Sequence, residues 1–244
     1  MTFKIYAPLQ MEFASLILCE HLNKLGKRAE IVKRIDPKDT KHIWIMYNNS
    51  LSWAVPKHYI SYQTEQIGTH WFNERYFERL ANSIAVWEYS EINLPAYQHL
   101  NENISIVSTG VKLQPKRNKD IELLFYGALS ERREKALKKF TSIRVVKKIL
   151  GQPMRDLLSR TKTIVNIHYY NESPLETFRI NEALSHHCNV ISEHSTHGDE
   201  KYSDVVKFGN LKDLNEIAMN QAFTTQDISK FCNFVEVENA IKKL

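Results

Sequence analysis

Three observations predict an α/β fold with mainly parallel sheets. Apolar runs of strand length recur along the chain, most of them are separated by helical patterns, and a polar, proline-bearing stretch interrupts the alternation once near the middle. Strands that alternate with helices pair in parallel, because each helix carries the chain back to the end from which the next strand starts. The interruption divides the chain into two such units.

Phe3 to Ala7 alternates like a strand, and Glu12 to Leu25 repeats apolar residues at helical spacing. Short runs rich in β-branched and aromatic residues follow at Ala29 to Val32, His42 to Tyr47 and Tyr59 to Tyr62, each of strand length. A helix is expected from about Trp71 to Ala81, a strand at Ile84 to Trp87, a helix near Ile92 to Leu100 and a strand at Ile104 to Val107. The segment KLQPKRNKD, Lys112 to Asp120, then carries a proline and the cations Lys112, Lys116, Arg117 and Lys119, which suits a linker. With the boundary near residue 115, an N-terminal unit covers 1–115 and a C-terminal unit covers 116–244.

The alternation restarts with a strand at Ile121 to Tyr126, a helix at Ser130 to Phe140, a strand at Ile143 to Val146 and a helix at Met154 to Arg160. Thr163 to Ile167 is apolar enough for a buried strand. Ser173-Pro174-Leu175-Glu176 then offers an N-cap, a proline at the first helical position and the glutamate of a capping box. A helix is expected from there to about His187, its N-terminus a ready anion site. Cys188 to Ser192 and Val205 to Phe208 read as strands, and Leu211 to Met219 and Asp227 to Lys243 as closing helices. No repeat or low-complexity tract occurs. Two Rossmann-like units account for this pattern; one continuous sheet through both halves is the alternative.

Composition bounds the function. A content of 43% hydrophobic residues in 244 supports full cores and excludes a disordered chain. The cysteines Cys19, Cys188 and Cys232 lie far apart with no CxxC pair, which points away from a disulfide framework or a zinc site and towards a reducing cytoplasm. The start MTFKIYAPLQ lacks a basic region followed by an apolar stretch, and no run approaches the roughly 18 apolar residues of a membrane span, so a soluble protein is expected. A net charge of +5, much of it in KKF, RVVKK and IKKL, suits an anionic ligand but does not amount to a nucleic-acid signature. APLQM after the first strand is not a glycine-rich loop, which argues against a dinucleotide-dependent oxidoreductase. GxxxxGK[ST] and GxSxG are absent too, which removes P-loop enzymes and ordinary serine hydrolases.

The run Glu182-Ala183-Leu184-Ser185-His186-His187-Cys188-Asn189-Val190-Ile191 resembles the stretch that closes the nucleotide-sugar site of GT-B glycosyltransferases of the group 1 type. The resemblance covers mainly residues 121 to 215. It implies that Glu182 meets the ribose of a nucleotide. Pro174 stands where the family usually has another glutamate, with Glu176 offset by two, and His187 stands where glycine is favoured because the turn often needs a positive φ. Tyr126-Gly127-Ala128-Leu129-Ser130-Glu131-Arg132-Arg133 looks like the family's strand, glycine and basic-residue element that holds the diphosphate. A bound anion there would relieve two arginines placed against a helix dipole; alternatively, Arg132 and Arg133 pair with Glu131 or Asp120.

Glu176, Arg179 and Glu182 lie three residues apart and form one polar stripe, which is either a ligand surface or a run of intrahelical salt bridges. Arg179 is therefore carried as both a diphosphate-binding and a catalytic residue. His168, Tyr169 and Tyr170 follow a strand, where an imidazole can donate to a phosphate and a ring can stack on a base or sugar, or simply pack in the core. His186, His187, His194 and His197 match no zinc spacing, and no DxD triplet is present, so no metal or other cofactor is expected. Helix termini and arginines would then stabilise the leaving diphosphate.

In the N-terminal half, Gln63 to Gln66 and Trp87 to Glu91 are polar clusters after strands, and in doubly wound sheets such positions border a crevice. The resemblance makes this half the acceptor side, with Glu65 and Glu88 as its catalytic carboxylates; an ordinary loop and a Ser90 N-cap explain the same residues. The resemblance thus implies a glycosyltransferase that moves a hexose or pentose from a nucleotide-sugar, such as a UDP-sugar, to an acceptor hydroxyl, with retention and without metal. That hydroxyl belongs to a glycan, a small molecule or a modified base in DNA. The alternative is a non-catalytic module that binds a nucleotide or nucleic acid.

Overall fold

The computed structural model describes residues 1–47, 54–220, 223 and 227–244. They form two compact units, Met1–Gly110 with Cys232–Leu244, and Val111–Phe231.

In the first unit, β1 (Thr2–Tyr6), β2 (Arg28–Val32), β3 (Ile43–Tyr47), β4 (Tyr59–Gln63), β5 (Ala85–Glu88) and β6 (Ile104–Ile106) build one sheet in the order β2-β1-β3-β4-β5-β6, every pairing parallel. Helix α1 (Glu12–Lys24) packs Phe13, Ile17, Leu18 and Leu22 inward, and α2 (Glu74–Ala81) buries Tyr76 and Leu80 with Val86 and Tyr97. The segment expected as one helix over Ile92 to Leu100 is instead α3 (Leu94–Tyr97) between two 3-10 turns, with Pro95 in its first turn withholding a backbone donor.

In the second unit, β7 (Ile121–Tyr126), β8 (Arg144–Val146), β9 (Thr161–Asn166), β10 (Asn189–Glu193) and β11 (Val206–Gly209) pair in parallel in the order β11-β10-β9-β7-β8. Its connecting helices are α4 (Glu131–Leu137), α5 (Gln152–Arg160), α6 (Thr177–Ser185), α7 (Asp199–Tyr202) and α8 (Leu214–Asn220). Leu124, Ile164 and Val190 face one core with Met154, Leu158, Ile180 and Leu184, whereas Phe125, Val165 and Ile191 face another with Leu137 and Leu214. Burial on both faces is what all-parallel strands require, and it explains why these strands read as near-continuous apolar runs. The chain therefore forms two sheets, and the alternative of one continuous sheet does not hold.

Two differences from expectation have plain causes. The division falls between Gly110 and Val111, ahead of the charged segment, because Lys112 N already bonds Ser185 Oγ at 3.0 Å and Gln114 N bonds the Ser185 carbonyl at 2.9 Å. The closing helix α9 (Phe234–Lys242) belongs to the first unit: Val237, Ala240 and Ile241 are buried, and Phe234 meets His21 of α1 edge to face at 5.3 Å. Ser108 seals the join, since its backbone N–H and its hydroxyl each donate to Glu236 at 2.6 Å.

Helix α6 starts later than the capping pattern implies. Ser173 bonds the Tyr170 carbonyl at 3.2 Å and Leu175 N bonds the His197 carbonyl at 3.1 Å, so Ser173 to Leu175 are held as loop and the helix begins at Thr177 with Glu176 at the cap. At its other end His187 adopts φ 57°. Its N–H bonds the Leu184 carbonyl at 2.9 Å and Cys188 N bonds the Ala183 carbonyl at 3.0 Å, the pairing of a left-handed helix stop that usually takes glycine. The imidazole holds that conformation by meeting the Gln114 carbonyl at 2.7 Å.

Candidate functional site

The order β8-β7-β9-β10-β11 makes β7 and β9 the central pair from which the chain departs in opposite directions. Loops diverge there, and the carboxyl ends of such strands are where open parallel sheets take ligands. After β7 comes Gly127; after β9 come Ile167 and His168; and α6 brings Glu176 and Arg179 to the same place.

Gly127 has φ 132°, and a Cβ on it would lie 2.8 Å from Arg179 Nη2 and 3.6 Å from Arg133 Nη1. The missing side chain is thus what lets two guanidiniums close over the strand end. Arg133 follows Ser130, the N-cap of α4, whose hydroxyl accepts from Arg133 N at 3.3 Å. Its guanidinium donates to the carbonyls of Ile167 at 2.8 Å and Ala128 at 2.9 Å and to Glu176 Oε1 at 2.9 Å. Arg179 donates to Asn166 Oδ1 at 3.1 Å and pairs with Glu176 Oε2 at 3.1 Å. Both rest on aromatic faces, Arg133 over Phe125 and Tyr169 and Arg179 over Tyr126 and Phe125, all between 5.2 and 5.7 Å.

One carboxylate thus serves two guanidiniums. Arg133 is only 2% exposed, and burial, then the neighbouring Arg179 charge, lowers its pKa to about 10. Burial would raise the Glu176 pKa, but Arg179, His168 and Arg133 together hold it down at about 2. The three side chains carry a positive excess, and Arg179, its side chain 15% exposed against 3% for Arg133, is the guanidinium more open to an anion.

The other expected residues divide. Tyr126 is buried with its hydroxyl donating to the Arg179 carbonyl at 3.4 Å; burial, then Glu182, pushes its pKa up. Glu182 is half-buried one turn beyond Arg179. His168 is 1% exposed, lies 3.8 Å from Glu176 Oε1, and leaves both ring nitrogens without a hydrogen bond. Tyr169 donates its N–H to Glu176 Oε1 at 3.3 Å and exposes its ring, which meets the exposed Tyr170 edge to face at 4.9 Å. Arg132 does not join its neighbour: it forms a two-point pair with Glu193 at 2.6 and 2.8 Å and reaches Asn171 at 2.6 Å. Glu131 and Asp120, the partners considered for the two arginines, are taken by Lys135 and Arg160.

Of the two carboxylates expected to face an acceptor, Glu88 is fully buried in the first unit and is corrected from a ligand-facing group to a packing centre. Its Oε1 accepts from Ser90 N at 2.8 Å and Asn93 at 2.9 Å, and its Oε2 from Gln63 at 2.7 Å and from Tyr97. Burial raises its pKa to about 7 against those four donors. Glu65 is half-buried, and its N–H donates to Gln63 Oε1. Of the histidines, His194 pairs with Asp199 at 2.9 Å, His186 is buried, and among the described residues no three His, Cys, Asp or Glu side chains gather as metal ligands.

Asn166 and Glu193 were missed. Each is a buried polar residue at the carboxyl end of a central strand, and that placement was the available signal. Local pattern does not single out either residue, because their partners, Arg179 and Arg132, come from helices 13 and 61 positions away.

Two all-parallel Rossmann-like units are the α/β architecture of the GT-B type. Solved glycosyltransferases share it: an alpha-glucosyltransferase in complex with UDP and a 13-mer DNA containing a HMU base has a TM-score of 0.56 at 9% identity, covering 100% of this chain and 94% of its own. An alpha-glucosyltransferase with UDP-glucose and DNA containing an abasic site gives 0.56 at 10%, over 99% and 93%. A glycosyltransferase from Rickettsia africae ESF-5 gives 0.50 at 10%, over 99% and 93%. No protein-family model and no curated protein matches the chain. Among the described residues no helix is long and apolar enough to cross a membrane.

Proposed function

We propose that the chain is a glycosyltransferase that binds a nucleotide-sugar on its Val111–Phe231 unit and transfers the sugar to an acceptor hydroxyl. The observation that carries this is the Arg133–Glu176–Arg179 cluster against Gly127, at the carboxyl ends of β7 and β9. A diphosphate would take the two guanidiniums in place of the Glu176 carboxylate, and Glu182 would meet the ribose. Burial strengthens such charge-assisted bonds, so the arginines would stabilise the negative charge that grows as the bond from the sugar carbon to the phosphate oxygen breaks. The acceptor oxygen forms the new bond and its proton passes to the departing diphosphate, with no protein base and no metal. The similar alpha-glucosyltransferases support UDP-glucose as the first donor to test and DNA with a HMU base as the first acceptor. An α-linked product from that donor corresponds to retention.

Release of UDP from UDP-glucose by the purified protein, with and without acceptor and chelator, tests the proposal. Turnover insensitive to chelator is expected, with Arg179→Ala reducing UDP affinity roughly 10- to 100-fold as a charge-assisted pair is lost. Saturable UDP binding without turnover on any donor would leave a binding module instead.

A further inference from the structure

The edge strand of the second sheet carries a concentration of charge that the donor site does not use. Between Glu134 and Asp156 the chain has seven lysines and arginines and no carboxylate, against a net charge of +5 for all 244 residues. Lys138 and Lys139 follow α4, Arg144 opens β8, and Lys147 and Lys148 follow β8; all five are exposed. Arg144 lies near Asp120, but among the described residues the four lysines have no ion-pair partner. Because α4 runs back to the amino end of β8, the cations are strung along the sheet edge from one end of the strand to the other. The strip ends beside the donor site, since Gly127 N bonds the carbonyl of Val146, the last residue of β8, at 3.2 Å.

We propose that this strip is a docking surface for the phosphate backbone of a nucleic acid. A line of lysines matches a line of phosphates, and such contacts position a duplex without reading its sequence. The segment bears no exposed aromatic and no asparagine between Lys138 and Gly151, so base recognition is left to another part of the protein. An anionic bilayer is the competing occupant, since Val145, Ile149 and Leu150 beside the cations are 39%, 36% and 43% exposed; the run of cations along one strand edge favours the linear phosphate backbone. The inference rests on the sugar-transfer reading only in making a nucleic acid the acceptor; the surface stands on charge and placement.

Fluorescence anisotropy of a labelled duplex of arbitrary sequence, measured across a salt series, decides it. Wild type is expected to bind with a steep salt dependence, and Lys147→Ala/Lys148→Ala to bind about 10-fold or more weakly on every sequence, its slope smaller by about 2. Lys207→Ala, at an exposed lysine on β11 at the opposite edge of the same sheet, is expected to leave binding unchanged. Unchanged affinity and slope in the double variant overturn the proposal, as does capture by phosphatidylglycerol vesicles through these lysines with no duplex binding. UDP release from UDP-glucose is followed on the same samples. Turnover with lysine-independent DNA binding sinks the docking surface alone, and lysine-dependent DNA binding without turnover on any donor sinks the sugar-transfer reading alone.

Discussion

Two glutamates show how burial and partners set opposite outcomes for one side chain. Glu176, flanked by two guanidiniums, ionises near 2 in the folded chain, below the ordinary 4.5. A depressed carboxylate stabilises the fold above its unfolded pKa and loses that stabilisation as pH falls through the folded one. On the order of 3 kcal/mol present at pH 7 should therefore fade between about pH 4.5 and 2. Glu176→Gln is expected to lower stability by a similar amount at pH 7 and, by leaving both arginines to an incoming anion, to enlarge the melting shift produced by UDP. A smaller UDP shift would mean that the carboxylate contacts the donor. Glu88, at about 7, works the other way: the folded chain holds the proton longer, so stability should fall by on the order of 3 kcal/mol as pH rises from about 4.5 to 7. Denaturant titrations across that window on wild type and Glu88→Gln check this, since the variant should lose the slope.

At the scale of elements, the turn after β7 depends on a missing side chain. Gly127→Ala combines a backbone that L-residues avoid with a Cβ 2.8 Å from Arg179, so it is expected to destabilise by about 1–3 kcal/mol and to weaken UDP binding together. Calorimetry on that variant separates it from a loop that merely tolerates alanine. The strands were legible because burial on both faces leaves short, mostly apolar runs, as at Thr163 to Ile167 and Leu123 to Tyr126, even though Lys162 and Glu122 just ahead of them are charged and Asn166 is polar. The start of α6 was not, because Ser173-Pro174-Leu175-Glu176 carries every local signal of a cap while tertiary bonds from Leu175 and Thr196 hold it as loop. Arg133, Arg179 and Glu176 were each legible as polar residues after strands or on a helix stripe. That Glu176 bridges the two arginines, and that Arg132 turns away to Glu193, depends on folded distances between residues up to 61 positions apart.

For the molecule as a whole, the two units predict two responses. A nucleotide that binds only Val111–Phe231 should raise the transition of that unit and leave the other in place, by mass action. Removing Cys232–Leu244 should do the reverse and destabilise Met1–Gly110, which then loses Val237, Ala240 and Ile241 from its core. Limited proteolysis of the shortened chain, mapped by fragment mass, distinguishes this from a general loss of stability.

The return of α9 also sets an order of events during synthesis. Met1–Gly110 leaves the ribosome first but lacks its covering helix until residue 242 has been made. At about 5–20 residues per second that delay is roughly 7–30 s, during which Val111–Phe231 acquires all of its own sequence. The unit translated first is thus expected to reach its native state last, and nascent chains stalled when Phe231 has just cleared the ribosomal tunnel, with α9 still inside it, should protect the later unit from protease while the earlier one is still cleaved.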